Sequence, residues 1–368
     1  MDLKRHLEAP EVSVADYLGT LLSQVATQVR GRHKVYLDTR YWVFIRDAAL
    51  GRAKRPEHEA ILRALRDKVA SGVAMCPVSD IAVLEMTAQT DDETRAATAI
   101  LWDELSLGVA LRTEPERILV EVEQFFASSR PDEVPRPLQD LAWTRPCFVL
   151  GTIVPGLKQF PRSFSQAVQK AALDALWTAT FTEIAKDSSA SLALSEKSQR
   201  TAENINLEMR KFQHEVPSFE KALLAEISGA LDASEGLLTG FLMKQFLEQG
   251  HSLHALTEKR LLGAHKTLRT GLVNAFRLRR DVMARRLPSL YLQAACHAAI
   301  RTDVKRKVNG NLLRDIHHGS AGVAYHDAVL TENPLKVLLT AGNVAADKTF
   351  SCRVMSHEHE VLDYLERL

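Results

Sequence analysis

The chain has 368 residues, with 47 Lys and Arg against 46 Asp and Glu, so its net charge is +1. A hydrophobic share of 46% is enough to build a sizeable core, which excludes disorder as the dominant state. The charge balance excludes a global field that draws the chain onto nucleic acid or membrane, and any such contact needs a local patch. Only 17 Gly and 13 Pro over this length point to long elements and a helix-rich chain, of two domains or one with a large insertion. The opening MDLKRHLEAPEV has no apolar h-region, so no secretory leader is expected. The longest uncharged stretch, 287–300, is shorter than the about 20 apolar residues a bilayer span requires. Cys76, Cys147, Cys296 and Cys352 form no CxxC pair, which favours a reduced cytoplasmic protein and argues no zinc site.

In chain order, residues 14–30 carry apolar residues at helical spacing, within an N-terminal helical segment spanning 1–31. Val35, Tyr36 and Leu37 form a β-prone run ending at Asp38, read as a buried strand, with a helix over 42–50. Residues 57–71 form an amphipathic helix closed by Gly72. VAMCPV is a second strand, and Ser79 or Asp80 caps a helix carrying Ile81, Leu84 and Glu85. Helical patterns then follow at 115–127, 164–186, 217–231, 235–249, 253–285 and 289–301, with an irregular Pro-rich stretch over 130–162. The polar span 188–206 reads as a loop or a solvated helix. Towards the end, Asp315 opens a helix, AVLT is a strand, ENPLKVLLTAG a helix, SCRVMS a strand and HEHEVLDYLERL a last helix. Strands alternating with helices at both ends predict an α/β protein whose parallel sheet is built from 32–102 and 303–368, with 103–302 as an all-helical insertion.

The chemistry-bearing residues of the α/β portions sit at element ends. Asp38 closes the first strand, Glu85 follows the second, Asp315 begins a helix, and Asp327 and the Glu332–Asn333 pair flank the next strand. Ligands of open parallel sheets bind at the carboxyl ends of strands. Acids gathered there repel one another unless a cation lies between them, and hard oxygen ligands suit Mg²⁺ or Mn²⁺. Singly, each has a plainer reading: Asp38 and Asp315 as helix caps, Glu85 as a solvated or partnered residue.

The segments KVYLDTRYW, CPVSDIAVLEM and DIHHGSAGVAYHDAVLTENPLKVLL together resemble the PIN-domain superfamily of metal-dependent nucleases, over roughly 32–102 and 303–368. Asp38, Glu85 and Asp315 match the three main metal-binding acids, and Thr331, sixteen residues after Asp315, matches the hydroxyl turn that orients them. Asn333 matches the fourth position, often Asp in the family, and Asp327 is the acid that substitutes for it. The resemblance implies a three-layer α/β/α fold, a Mg²⁺ or Mn²⁺ cofactor, and endoribonuclease activity on single-stranded RNA, with DNA an open alternative. The neutral Asn333 favours a rival reading, a non-catalytic scaffold with a degenerate site that works by docking a protein on the helical insertion.

Nine basic residues crowd 277–307: Arg277, Arg279, Arg280, Arg285, Arg286, Arg301, Lys305, Arg306 and Lys307. Only Asp281 and Asp303 oppose them, which makes this local strip a candidate phosphate-binding surface or else a solvated helix face. His317 and His318 lie beside Asp315 as ligands for a transition metal or as a proton shuttle or, more simply, with His318 packed toward the sheet and His317 facing solvent. His357 and His359 fall on different helix faces, and His251 and His254 have no acid set beside them. No GxxxxGK[ST], GxGxxG, GxSxG or HExxH occurs, so ATPase, dinucleotide oxidoreductase, α/β-hydrolase and zincin readings lose their usual support. RNA is the expected partner, a homo-oligomer is left open, and no membrane is expected.

Overall fold

A computed structural model describes residues 3–89, 91–131, 133–152, 160–187, 218–252, 257–303 and 309–368. Six short strands occur among them: β1 His33–Leu37, β2 Ala74–Met75, β3 Ala110–Leu111, β4 Trp143–Thr144, β5 Ala328–Leu330 and β6 Arg353–Met355. β2, β1, β5 and β6 form one parallel sheet in that spatial order, so β1 from the first part of the chain and β5 from the last lie side by side at its centre. Val35 pairs with Ala328, Tyr36 with Val329 and Leu37 with Leu330.

The architecture expected from the sequence needs correcting. The described residues are 70% helix and 6% strand, a mostly helical arrangement around a small sheet rather than a three-layer α/β/α PIN fold. The physical reason is strand length. Strands of two to five residues bury little by themselves, and helices supply most of both cores. The middle segment is not all-helical either. β3 and β4 pair antiparallel, and a parallel bridge joins Ala110 to Val78 beyond the end of β2.

Alternation along the strands divides the sheet into two apolar faces. Tyr36, Met75, Val329 and Val354 face a core shared with the helices Phe219–Ala233, Pro288–Thr302 and Gly310–Tyr325. Val35, Leu37, Cys76, Leu330 and Met355 face a second core with Thr39–Ala49, Pro56–Ala70, Asp92–Ser106 and Glu358–Glu366. The middle of the chain therefore covers one face of the sheet instead of standing apart from it.

Helix boundaries follow local chemistry. Ser13, Asp38, Ser79, Asp91 and Asn309 each cap a helix by accepting a backbone N–H. The helix read from Asp315 begins earlier, at Gly310 under the Asn309 cap, so Asp315 lies in its second turn and not at its start. The long pattern 253–285 breaks into Glu258–Leu278 and Arg280–Arg286. The pattern 164–186 divides into Arg162–Trp177 and Phe181–Asp187. The polar span 188–206 lies outside the described residues. No described helix is long and apolar enough to cross a membrane.

A buried carboxylate ties the helical core together. Glu121, fully buried, accepts from Ser289 N at 2.9 Å, from Leu290 N at 3.5 Å and from Tyr325 Oη at 2.6 Å. It thereby satisfies the first amides of Pro288–Thr302 and holds Gly310–Tyr325 against it. Burial pushes its pKa up to about 7, offset by those same donors. Glu121→Ala strands the amides and the tyrosine hydroxyl, and should lower stability by about 1–3 kcal/mol. Glu121→Gln keeps an acceptor and should lose less. Urea unfolding of the two variants is the check.

Candidate functional site

The site lies where the carboxyl ends of β1 and β5 meet two helix starts. Asp38 directly follows β1 and caps Thr39–Ala49 through Oδ1, which accepts from Tyr41 N at 3.2 Å. Its Oδ2 accepts from Glu332 N at 3.1 Å and so stitches the start of the chain to its end. Asp38 is only 5% exposed, which raises its pKa, offset by His318, the Thr331 hydroxyl and the Tyr41 amide, while Glu332 adds to the rise.

Glu85 stands in the second turn of the helix Asp80–Thr87, which Ser79 caps. Arg314 Nε lies 3.1 Å from its Oε1, His318 Nε2 lies 3.1 Å from its Oε2, and the Thr39 hydroxyl donates to Oε2 as well. Burial would raise Glu85, but His318, Thr39 and Arg314 outweigh it and hold the carboxyl below its ordinary range. His318 moves the other way: burial lowers its pKa, and Glu85, Asp38 and Asp315 more than reverse this. Tyr36 Oη lies 2.6 Å from His318 Nδ1 and 2.9 Å from Ser79 Oγ. With Nδ1–H donating to Tyr36, the tyrosine is free to donate to Ser79. The result is a buried line of hydrogen bonds from Glu85 to the cap of its own helix.

His318 is brought there by glycine. A Cβ on Gly322 would meet Tyr36 Cδ1 and Val329 Cγ2 at 2.9 Å each, and one on Gly319 would meet Leu339 Cδ2 at 3.0 Å. Only a bare backbone lets Gly310–Tyr325 lie this close to the sheet.

Asp38, Thr39, Arg40, Glu85, Asn311, Arg314, Asp315, His318 and Glu332 line one open cleft of about 310 Å³. Three of the acids expected from the sequence thus converge: Asp38, Glu85 and Asp315. Asp315 is pushed up to about 6, first by burial and then by the negative charges of Glu332, Asp38 and Glu85, against the pull of His318.

Other expected site residues lie elsewhere. Asp327 precedes β5, at the opposite end of the parallel strands, where its Oδ2 accepts from Lys34 N at 2.8 Å and pairs with Lys34 Nζ at 3.0 Å. It clamps β1 to β5 and lies away from the cleft. Asn333 is the exposed first residue of the helix Asn333–Thr340 and does not line the cleft. The extended Glu332 before it does, so the fourth acid is one residue earlier than the motif places it. Thr331 is fully buried after β5 with its amide donated to Met355 O at 2.9 Å, and acts on Asp38 from behind the cleft wall. Arg40 and Arg314 are not among the residues expected from the sequence, although TRY and LRD place a basic residue beside Asp38 and Asp315.

The basic strip divides. Arg280 Nη2 donates to Tyr291 Oη at 2.7 Å and Asn343 O at 2.5 Å, Arg286 Nη1 to Ser128 Oγ at 2.9 Å, and Arg301 pairs with Glu226 at 2.5 Å. Arg277, Arg279 and Arg285 are exposed. Lys305, Arg306 and Lys307, like His254, lie outside the described residues. Among the described residues, no three His, Cys, Asp or Glu side chains form a group ready to hold a metal ion. The reason is visible at Glu85, whose oxygens are taken by His318, Thr39 and Arg314.

Compared with known proteins, the chain matches no family model, no curated protein and no solved structure. The resemblance to PIN-like nucleases therefore rests on the motifs alone.

The electrostatics of Asp315 have a defined pH signature. Its folded pKa exceeds its ordinary value of 3.8, so between about pH 4 and 6 the folded chain holds a proton that the unfolded chain releases. Stability at this residue falls as pH rises through that window, and the penalty is complete above it. Asp315→Asn should raise stability at pH 7.5 by on the order of 1 kcal/mol, a figure discounted for the residue's partial exposure. The gain should vanish at pH 4 and below. Thermal unfolding of both proteins across this range measures it.

Proposed function

We propose that the cleft is the active site of a metal-dependent endoribonuclease that hydrolyses phosphodiester bonds in single-stranded RNA. The observation that carries the reading is the convergence of Asp38, Glu85, Asp315 and Glu332 on one cleft at the strand ends. Carboxylate oxygen suits a hard divalent cation, and the mutual repulsion felt at Asp315 is what a cation relieves, but an ion would have to displace the partners that Glu85 already has. Mg²⁺ or Mn²⁺ would be held by Asp38, Asp315 and Glu85, with Glu332 in the place expected of Asn333. Bound there, the metal supplies an activated water and charge for the phosphoryl oxygens. Arg40 and Arg314 bring positive charge to a phosphate in an otherwise acidic cleft, and His318 holds the proton nearest the acids. The choice of RNA comes from the motif resemblance, and DNA is the comparison substrate. Cytoplasmic residence is part of the same proposal and rests on four free cysteines. A scaffold reading with the helices as docking surface is favoured by one observation, the closed pairing of Glu85 with Arg314 and His318.

The deciding experiment pairs cleavage with metal binding. Unstructured RNA with Mn²⁺ should be cut by the wild type, and by Asp38→Asn, Glu85→Gln and Asp315→Asn at least about a hundredfold more slowly. At ten times its Kd, Mn²⁺ should stabilise the wild type by about 1.4 kcal/mol and the three variants less. Full activity in Asp315→Asn, or no Mn²⁺-dependent cleavage at all, would sink the nuclease reading and leave the scaffold.

The exposed arginines give a separate expectation for RNA affinity in a metal-free background. Replacing Arg279 and Arg285 with Gln should flatten the slope of log K against log salt by about 1.4, at about 0.7 per phosphate lost. Arg280→Gln should instead lower stability, because its guanidinium is built into the helix packing. A salt titration of RNA binding separates the two, and an unchanged slope marks the strip as a solvated face.

A further inference from the structure

We infer that Arg40 is the residue that binds the phosphodiester of the substrate strand, while Arg314 is a latch on Glu85 that an incoming cation has to open. This deepens the nuclease reading and rests on it for the identity of the strand and of the ion. Both arginines line the cleft with Asp38, Glu85, Asp315 and Glu332, but their partners differ.

Arg314 is committed. Its Nε lies 3.1 Å from Glu85 Oε1, and its Nη2 donates to Asn311 Oδ1. One turn further along the same helix, His318 Nε2 lies 3.1 Å from Glu85 Oε2. Residues four apart share a helix face, so one face of Gly310–Tyr325 occupies both oxygens of Glu85. Two of the three guanidinium nitrogens are spent on the protein itself, and Glu85 opens to a cation only when Arg314 moves off it.

Arg40 is uncommitted. Among the described residues it has no hydrogen bond and no ion pair, although four carboxylates line the cleft with it. Phe44 explains why. The guanidinium carbon of Arg40 stands 5.1 Å from the centroid of that ring, one helical turn on. Phe44 in turn stacks on the buried His58, with 4.0 Å between centroids and 12° between planes. A guanidinium held over an aromatic face keeps the N–H donors of its edge for an anion. A phosphodiester presents two oxygens that such a fork takes together. Arg40 follows Asp38 and Thr39 directly, so a phosphate bound there lies at the acids.

The test reads RNA and metal separately on the full chain. A short uridine oligomer is titrated in EDTA by fluorescence anisotropy, and Mn²⁺ alone by calorimetry. Arg40→Gln should weaken the oligomer by about tenfold, the loss of one charge-assisted pair, and reduce the salt slope by about 0.7. Arg40→Lys should recover the slope but not the full affinity, because a lysine keeps the charge and lacks the fork. Arg314→Gln should tighten Mn²⁺ by about tenfold and leave the oligomer within about twofold. Arg40→Gln removes the same charge from the same cleft without freeing a carboxylate, and should change Mn²⁺ affinity by no more than about threefold. Oligomer binding unchanged by Arg40→Gln, or weakened as much by Arg314→Gln, overturns the assignment of the phosphate. Mn²⁺ tightened as much by Arg40→Gln as by Arg314→Gln overturns the latch, because charge alone then accounts for it. Mn²⁺-dependent cleavage with full RNA affinity in Arg40→Gln overturns the role of Arg40 and keeps the nuclease reading. Arg40-dependent oligomer binding with no Mn²⁺ binding, in the wild type or in Arg314→Gln, does the reverse.

Discussion

The pairing of β1 with β5 is the constraint on which the rest depends. It joins Val35–Leu37 to Ala328–Leu330, from near the two ends of the chain, and its register sets where both strands stop. Asp38 and Glu332 follow those strands, and the Asp38 Oδ2 bond to Glu332 N closes the gap beyond the last ladder position. Lys34 and Asp327 clamp the other end. One pair of short strands thus has an acid at each end, and the two do opposite work. Asp327 is neutralised and structural, whereas Asp38 is buried beside further acids.

Those further acids are held by an internal cation. His318 sits among Glu85, Asp38 and Asp315: the three carboxylates raise its pKa, and it lowers theirs. In this arrangement Arg314, with His318 when it is protonated, supplies positive charge to the acidic cleft. An incoming divalent ion has to compete with them for Glu85, while the repulsion at Asp315 is what it would relieve. The same geometry explains why the cleft is acidic in composition without being a closed cage of oxygen ligands.

Placement of His318 is in turn a packing matter. Gly319 and Gly322 permit the helix Gly310–Tyr325 to press onto Tyr36 and Val329, and Tyr36 then fixes the ring through Nδ1. From the opposite side Glu121, with Tyr325 and the amide of Ser289, anchors that helix to Pro288–Thr302. The middle of the chain is therefore not an accessory to the sheet. It supplies the layer that sets the position of half the cleft.

What the sequence determined by itself was local. Apolar runs at 35–37 and 328–330 are β-prone and long enough only for short buried strands, and the periodicity of 57–71 matches the helix Pro56–Ala70 because both depend on neighbours a few residues apart. Asp38 could be picked out because a strand end leaves a mark in the chain, whereas Glu85 and Asp315 stand in the second turns of their helices and are picked out by the motif spacing. Tertiary structure alone decided the rest. Whether Glu332 or Asn333 faces the cleft depends on one extended residue at a helix cap, and Asp327 is excluded by which end of a parallel strand it occupies. The helix carrying Asp315 starts at Gly310 because Asn309 caps it, a choice that residues 310–314 do not announce. The β3–β4 pair joins residues more than thirty positions apart, Ala110 to Thr144, across a helix, which no short-range pattern encodes. The expected α/β/α domain failed for the same reason. Strand and helix signals can be read locally, but how much of the core each contributes is fixed by which faces meet, and here the helices of the middle segment meet the sheet.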